Sequence, residues 1–188
     1  DYGTIGHNDA KDNFVAGTPW IAMEFIQGTE AKNFAGVLDW HTLTKIFHET
    51  LAALAHAHAH NILHRDIKAN NILLCDDTMQ VKLVDFGLAH NFRGKTQQGL
   101  EESIEGTPAY ISPEQILCSV QSFGPWTDLY SVGVIVWTML HGSPPYSGSY
   151  QDIFDAHLRG QLPTFAPKMN VPDGLETWIH HLMATTNF

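Results

Sequence analysis

The sequence is poor in basic residues and in cysteine. Only 10 Lys and Arg residues stand against 20 Asp and Glu, so the formal net charge is −10. Because proteins bind phosphate backbones through patches of Lys and Arg, this deficit argues against a nucleic-acid-binding function. The two cysteines, Cys75 and Cys118, are too few for a disulfide framework, which favours a reducing, cytoplasmic location.

A long apolar segment is missing as well. The longest strongly apolar run, Val132–Leu140, is far shorter than the roughly 20 residues that span a bilayer, and no signal-like segment opens the chain. We therefore expect no membrane segment in this chain. Hydrophobic residues still make up 44% of the 188 residues, which is enough for a sizeable core and excludes wholesale disorder. The length suits one domain or part of a larger one.

Hydrophobic periodicity predicts an α+β protein in which helix exceeds strand. The first predicted strand is 20–26, a mostly apolar run that is expected to be buried and that Gly28 ends. The other two are 71–74 and 81–84, which the turn-prone Asp76 and Asp77 join. The predicted helices are 39–59 with Asp39 as N-cap, a buried helix over 127–140 that Gly142 ends, 149–158, and 173–184 with a capping box of Asp173 and Glu176. No period is visible from 90 to 112, and a connection of that length is usually functional.

One short segment carries most of the reactive side chains. Residues 64–71, between a predicted helix and a predicted strand, contain the acid Asp66, the base Lys68 and the amide Asn71. Asp85 follows the next predicted strand, in the sequence Asp-Phe-Gly. Carboxylate and amide oxygens at strand ends are suitable ligands for a divalent cation, and a lysine beside an acid suits a developing phosphoryl charge. The Asp-Phe-Gly tripeptide alone is a weak signal.

The order of several motifs makes the signal specific. The segments 64–71 and 85–87 are followed by Gly-Thr-Pro-Ala-Tyr-Ile-Ser-Pro-Glu at 106–114 and Asp-Leu-Tyr-Ser-Val-Gly at 128–133. In this order the sequence resembles the eukaryotic-type serine/threonine protein kinases, and most of all their bacterial members. The resemblance implies a protein-kinase-like fold, a mainly helical large lobe with small β-ribbons. Residues 1–30 would be the end of the small lobe and the hinge, and 31–188 the large lobe, truncated at its end.

The resemblance also implies a set of catalytic roles. Asp66 would accept or orient the proton of the substrate hydroxyl, and Lys68 would contact the transferred phosphate. Asn71 and Asp85 would hold Mg²⁺, for which Mn²⁺ can substitute. Thr107 would bond Asp66 and Lys68, and the sequence Asp-Ile-Lys is typical of kinases that act on Ser and Thr in protein substrates.

Residues of the hinge would bind ATP. By resemblance, Met23 would be the gatekeeper beside the adenine, and the backbone of Glu24 and Ile26 would hydrogen-bond to it. Leu73 would pack beneath the adenine, and Glu30 would reach the ribose.

Regulation would act on the activation segment. Arg65, directly before the catalytic acid, is typical of kinases that are switched by phosphorylation of this segment, because an arginine can pair with the added phosphate. Ser103 matches the usual position of that phosphate, and Thr96 is the second candidate.

The twelve histidines raise the alternative of a metal site. His56 and His60 lie one helical turn apart and could share a metal, whereas His58 faces away from both. The kinase resemblance instead gives His58 a packing role and makes His64 a core histidine that braces Phe86.

The sequence also departs from the kinase pattern. No Gly-rich loop, no strand lysine and no helix with its paired glutamate precede Trp20, so the small lobe is expected to be largely absent. The family also continues beyond the last residues to an arginine that pairs with Glu114, whose carboxylate would otherwise be under-satisfied. Many kinases of the bacterial group are tethered to a membrane by a segment beyond the catalytic domain.

Two other functions remain open at this stage. A pseudokinase or fragment that binds partners without phosphoryl transfer is one, although Asp66, Lys68, Asn71 and Asp85 speak against it. A small-molecule phosphotransferase is the other, although that class lacks the Asp-Ile-Lys sequence and the 106–114 segment.

Overall fold

The computed structural model describes residues 2–4, 16–86, 108–117 and 119–185. Its strands are β1 (Tyr2–Thr4), β2 (Pro19–Ile21), β3 (Gly28–Glu30), β4 (Ile72–Cys75) and β5 (Val81–Leu83). Its α-helices are α1 (Trp40–Ala59), α2 (Pro113–Ile116), α3 (Pro125–His141), α4 (Tyr150–Arg159) and α5 (Leu175–Leu182). Short 3₁₀ helices cover Ala31–Phe34, Pro108–Tyr110 and Val120–Ser122. Among the described helices, none is long and apolar enough to cross a membrane.

The strands form two small antiparallel sheets. One pairs β1 with β2, and the other has the order β3-β4-β5. The pairing of β3 with β4 places Glu30 opposite Leu73. The strands β4 and β5 agree with the predicted strands to within one residue at each end, and the turn between them contains Asp76 and Asp77 as expected.

The predicted buried strand over 20–26 is wrong. Only its first two residues belong to β2, and the following segment carries exposed side chains, with Met23 67% and Phe25 89% exposed. An apolar run forms a buried strand only where neighbours cover it, and no described strand pairs with 22–27. Gly28 begins β3 instead of ending a strand, and its missing side chain allows the carbonyl of Leu74 to approach closely.

The structure confirms the predicted range of helix α1 and its predicted N-cap, Asp39. The side chain of Asp39 accepts a hydrogen bond from the Thr42 N–H at 2.8 Å, and this bond lowers the pKa of the Asp39 carboxyl. The apolar residues at helical spacing, Leu43, Ile46 and Leu54, are buried against the core. The buried face thereby packs the helix onto the core, a few residues before the segment 64–71.

Helix α3 lies at the centre of the core and is buried on almost every side. Two glycines permit its packing. A side chain at Gly133 would meet Met183 and Leu182 at 2.8 and 3.0 Å, so this glycine lets the end of α5 lie close to α3. The helix ends at Gly142, whose φ of 82° lies in the left-handed region, as the sequence predicted.

The capping box expected at Asp173 and Glu176 is wrong. Helix α5 begins after Gly174, which has a φ of 85° and caps it without a side-chain hydrogen bond. A capping box forms instead at α4, where the carboxylate of Asp152 accepts from the Ser149 N–H at 3.0 Å. The spacing of an acid three residues after a capping residue is therefore insufficient where a glycine takes the capping position.

Replacing Gly142 with alanine should lower the free energy of unfolding by about 1–2 kcal/mol, because an L-residue in the left-handed region is strained by that amount. Urea unfolding followed by circular dichroism would measure it. A new Cβ would also meet the Nζ of Lys168 at 2.5 Å, so the same substitution in a Lys168→Ala background isolates the backbone effect. An unchanged unfolding midpoint in that background would contradict the strain argument.

Candidate active site

The backbone of the loop over 64–71 is held by one buried carboxylate. Asp128, in the first turn of α3, is 1% exposed and accepts hydrogen bonds from the N–H groups of His64 at 2.9 Å and Arg65 at 2.7 Å. It also contacts Nε2 of His58 at 2.7 Å, which gives His58 the packing role that was expected for it. These bonds hold Arg65 at a φ of 64°, a conformation that residues other than glycine rarely adopt.

Three of the four residues predicted to be catalytic, Asp66, Lys68 and Asn71, lie together. Oδ2 of Asp66 accepts from Nζ of Lys68 at 2.8 Å and from Nδ2 of Asn71 at 3.1 Å. Two donors on one oxygen fix the plane of the carboxylate. The other oxygen, Oδ1, is then the one oriented to accept a proton or a hydrogen bond from a ligand.

The amide of Asn71 has a defined orientation. Its Nδ2 also donates to the main-chain carbonyl of Asp66 at 2.9 Å, and because a carbonyl accepts only, the nitrogen must face that side. Its Oδ1 is therefore turned away and can serve as an oxygen ligand. The Asn71 carbonyl in turn accepts from the Val84 N–H at 3.0 Å, which ties the loop to the end of β5.

The same backbone bond brings the segment that carries Asp85 next to the segment that carries Asn71. Asp85 directly follows Val84, its carboxylate is exposed, and its φ of 62° turns the chain sharply at the end of β5. An amide oxygen and a carboxylate on adjacent segments are hard ligands with room for water and phosphate oxygens, so the residues fit a Mg²⁺ ion.

His64, the first residue of the loop, has a buried side chain whose hydrogen bonds are those of a neutral imidazole. Its Nε2 donates to the Val84 carbonyl at 2.9 Å, while Nδ1 accepts from the Asp66 N–H at 3.3 Å, so each nitrogen has one role. Burial lowers the pKa of His64, and the nearby carbonyl and carboxylates only partly oppose this. Its ring lies 4.5 Å from that of Phe86, which confirms the predicted bracing contact.

The hinge residues predicted to bind ATP differ in their surroundings. Glu30, opposite Leu73 in the sheet, is an acceptor for Nζ of Lys32 at 2.6 Å and for Nδ2 of Asn70 at 3.1 Å. Glu24 is exposed and lies 3.7 Å from Nζ of Lys82. Met23 is exposed, and Ile26 is half-buried. The structure thus brings Glu30 and Leu73 beside the loop, with Asn70 as the link.

The remaining predicted residues fall into two groups. Thr107, Ser103 and Thr96 lie outside the described residues. Arg65 is described, and its guanidinium carbon lies 5.8 Å from the centre of the Phe123 ring. Its contacts with the protein therefore include an aromatic face as well as the backbone bonds already given.

Glu114 is 2% exposed, and among the described residues only one of its two carboxylate oxygens has a hydrogen-bond partner. Oε1 accepts from the hydroxyl of Thr127 at 2.7 Å, whereas Oε2 has no hydrogen-bond partner among the described residues. An arginine that pairs with this carboxylate, as the family resemblance implies, would satisfy Oε2.

Sequence reasoning gave no role to Gln115, although this residue contacts the loop. Nε2 of Gln115, in α2, donates to the main-chain carbonyl of Arg65 at 2.7 Å. The two residues are 50 positions apart, and no local pattern in the sequence connects them.

The family model of the protein kinase domain matches residues 11–185 of the sequence, and this chain belongs to that family. The fold agrees, since its helices surround a buried central helix and its sheets are small. Kinase domains use ATP and a divalent metal in general.

Similar proteins include bacterial and eukaryotic serine/threonine kinases. The chain is 38% identical over 135 residues to the serine/threonine-protein kinase PknL of Mycobacterium tuberculosis. This alignment covers 69% of this chain and 32% of that protein. It is 35% identical over 139 residues to the probable serine/threonine-protein kinase MARK-C of Dictyostelium discoideum (72% and 17%). It is 43% identical over 105 residues to the liver/testis gamma catalytic chain of phosphorylase b kinase of Mus musculus (54% and 25%). The matches span less than a third of the relatives' own length.

A second buried histidine lies below the 3₁₀ helix Pro108–Tyr110. His157 is fully buried, and its Nδ1 shares a hydrogen bond of 2.8 Å with the hydroxyl of Tyr130. The Tyr146 ring packs edge-on at 4.8 Å. Burial lowers the pKa of His157 to about 4, although the nearby carbonyls of Pro108 and Ala109 oppose the shift.

These histidines should make the fold acid-sensitive. Below pH 6.5 the unfolded chain binds protons that the folded chain refuses, so stability falls as the pH decreases. For His157 the loss from pH 7 to pH 4 is about 3 kcal/mol, because its pKa drops from 6.5 to about 4 on folding. Urea unfolding at a series of pH values would measure it. His157→Gln should flatten the profile, and an equally steep profile in that variant would contradict the assignment.

Proposed function

We propose that the protein is an ATP-dependent serine/threonine protein kinase, to which residues 1–30 contribute the end of the small lobe and the hinge, and 31–188 the large lobe. The observation that carries the proposal is the carboxylate of Asp66. Lys68 and Asn71 hold one of its oxygens at 2.8 and 3.1 Å, so the other is available to a substrate hydroxyl. A carboxylate fixed in this way is suited to accept a proton as the hydroxyl oxygen attacks phosphorus.

The other polar residues of the site would stabilise the charge on the phosphates and hold the metal ion during phosphoryl transfer. The hydroxyl oxygen of a protein Ser or Thr forms a bond to the γ-phosphorus of ATP, the bond to the β–γ bridging oxygen breaks, and ADP leaves. Lys68 would stabilise the charge on the transferred group. Asn71 and Asp85 would hold Mg²⁺, which neutralises charge on the phosphates when it is bound.

ATP binding and substrate choice rest on further residues. Met23, Glu24 and Ile26 would line the adenine on the hinge side and Leu73 on the other. Glu30 retains its second oxygen for a ribose hydroxyl. Thr107 would bond the catalytic pair and, with the sequence Asp-Ile-Lys, favour Ser and Thr over Tyr.

The activation segment would provide the switch. A phosphate on Ser103, or on Thr96, would pair with the guanidinium of Arg65. Mass spectrometry of active protein should find a phosphate between residues 90 and 112. Active protein without one would rule this switch out. As a signalling enzyme with only two cysteines, it would act in a reducing cytoplasm.

A phosphoryl-transfer assay tests the proposal. The full-length protein with Mg·ATP and a library of Ser/Thr peptides should transfer the γ-phosphate, and phosphoamino-acid analysis should find phosphoserine or phosphothreonine. Removal of Mg²⁺ by EDTA should abolish transfer. Asp85→Ala should lower it at least about 100-fold, in the range of lost electrostatic stabilisation of the transition state. Partner binding without any transfer would favour the pseudokinase interpretation instead.

A further inference from the structure

The side chain of Gln115 connects two segments that are distant in sequence. Its Nε2 donates to the carbonyl of Arg65 at 2.7 Å. Its Oε1 accepts from the N–H of Ser112 at 3.1 Å and from the hydroxyl of Ser112 at 3.1 Å. One half-buried amide therefore joins the start of α2 to the residue before Asp66.

The chemistry of its partners determines which way this amide points. The Ser112 N–H can only donate, so it requires the oxygen of Gln115 on its side. The Arg65 carbonyl can only accept, so it requires the nitrogen. Exchange of the two ends would place donor against donor and acceptor against acceptor. Both ends of the amide thus have a defined role.

The carbonyl that Gln115 contacts belongs to the peptide group that leads into Asp66. Arg65 has a φ of 64°, a conformation that a non-glycine residue keeps only where its surroundings impose it. Asp128 holds the N–H of Arg65 at 2.7 Å, and Gln115 holds its C=O at 2.7 Å. Between them, the two side chains fix both peptide planes that flank Arg65, and the second plane sets where Asp66 begins.

We propose that Gln115 is a positioning residue, which orients Asp66 for proton acceptance through the carbonyl of Arg65. The inference rests on the proposed kinase function, because it assigns Asp66 the proton-accepting role. A cap at the start of α2 needs only the oxygen of the side chain. The nitrogen has no function in the helix, and its bond to the loop is what the inference explains.

The chain offers variants that separate the two ends of this amide. Gln115→Glu keeps an acceptor for Ser112 and removes the donor to Arg65. Gln115→Met keeps the length and removes both. Ser112→Ala is the matched control, because it removes one hydrogen bond to Oε1 and leaves the Ser112 N–H and the Arg65 carbonyl paired.

In the full-length protein, Gln115→Glu and Gln115→Met should lower kcat by about 10- to 100-fold, the effect of a small misplacement of a catalytic group. The KM for ATP should change no more than roughly twofold, because the hinge and the metal ligands are untouched. Ser112→Ala should keep kcat within about twofold of the wild type. A change in KM alone, or equal losses in Gln115→Glu and Ser112→Ala, would overturn the positioning role.

Hydrogen exchange gives a second readout that does not depend on activity. Peptides that cover 64–71 should exchange faster in Gln115→Met than in the wild type and in Ser112→Ala. If the wild type transfers phosphate and both Gln115 variants have the wild-type kcat and the wild-type exchange rate over 64–71, this inference fails and the kinase function stands. If the wild type transfers none, the kinase function fails, and exchange over 64–71 alone decides whether Gln115 holds the loop. Should Gln115→Glu not fold, Gln115→Met decides.

Discussion

Replacing Asp66 with asparagine in the full-length protein is expected to lower kcat for phosphoryl transfer by about 10²- to 10⁴-fold, the contribution of a positioned acid–base group. Asparagine has the size of aspartate, but its amide cannot accept the proton of the substrate hydroxyl. It also cannot offer a carboxylate to Lys68, which lies 2.8 Å from Oδ2. Steady-state kinetics with Mg·ATP and a Ser/Thr peptide would measure the loss.

The matching control is Asp77→Asn. Asp77 carries the same charge but is exposed on the turn between β4 and β5, so its replacement should leave kcat unchanged. The affinity for ATP should be similar in the wild type and both variants, since neither Asp66 nor Asp77 is among the residues predicted to bind ATP. Transfer by Asp66→Asn at the wild-type rate would remove Asp66 from the catalytic role.

Replacing Asp128 with alanine is expected to lower the free energy of unfolding by about 3–5 kcal/mol, the range for removing one partner from a buried charged network. The carboxylate is 1% exposed and accepts from the N–H groups of His64 and Arg65 and contacts Nε2 of His58. Without it, buried donors lose their acceptor and Arg65 loses a bond that stabilises its left-handed backbone. Urea unfolding would measure the change.

His58→Ala is the informative comparison. It removes one of the three contacts of Asp128 and leaves both backbone bonds, so it should cost only about 1 kcal/mol. Phosphoryl transfer should follow the same order, because the two backbone bonds hold the loop that carries Asp66. If Asp128→Ala cost no more than His58→Ala, the backbone bonds would not be the main role of this carboxylate.

Local signals predicted the elements whose ends are marked by local chemistry. The cap at Asp39, the helical spacing of α1 and the glycine at 142 identified two long helices nearly to the residue. The strands β4 and β5 were found because a turn-prone pair separates two apolar runs. In each case the deciding interactions lie within a few residues of one another, so the sequence displays them.

Where the deciding neighbour is distant in sequence, the same signals misled. The apolar run over 20–26 looked like a buried strand, yet Phe25 is 89% exposed, because burial depends on what covers a segment. The acid at Glu176 looked like part of a capping box, but Gly174 in the left-handed conformation begins that helix instead. Propensity describes one segment, whereas these outcomes depend on its packing or its backbone path.

The sequence by itself determined the family and the candidate catalytic residues. Asp66, Lys68 and Asn71 lie within one short loop, and their bonds to one another span only two to five positions. Only the tertiary structure decided what holds that loop in place. Asp128 reaches it across 63 positions and Gln115 across 50, through hydrogen bonds from separate helices. Such bonds depend on chain folding that brings the helices together, and because they have no fixed spacing in the sequence, no periodic or local pattern reveals them.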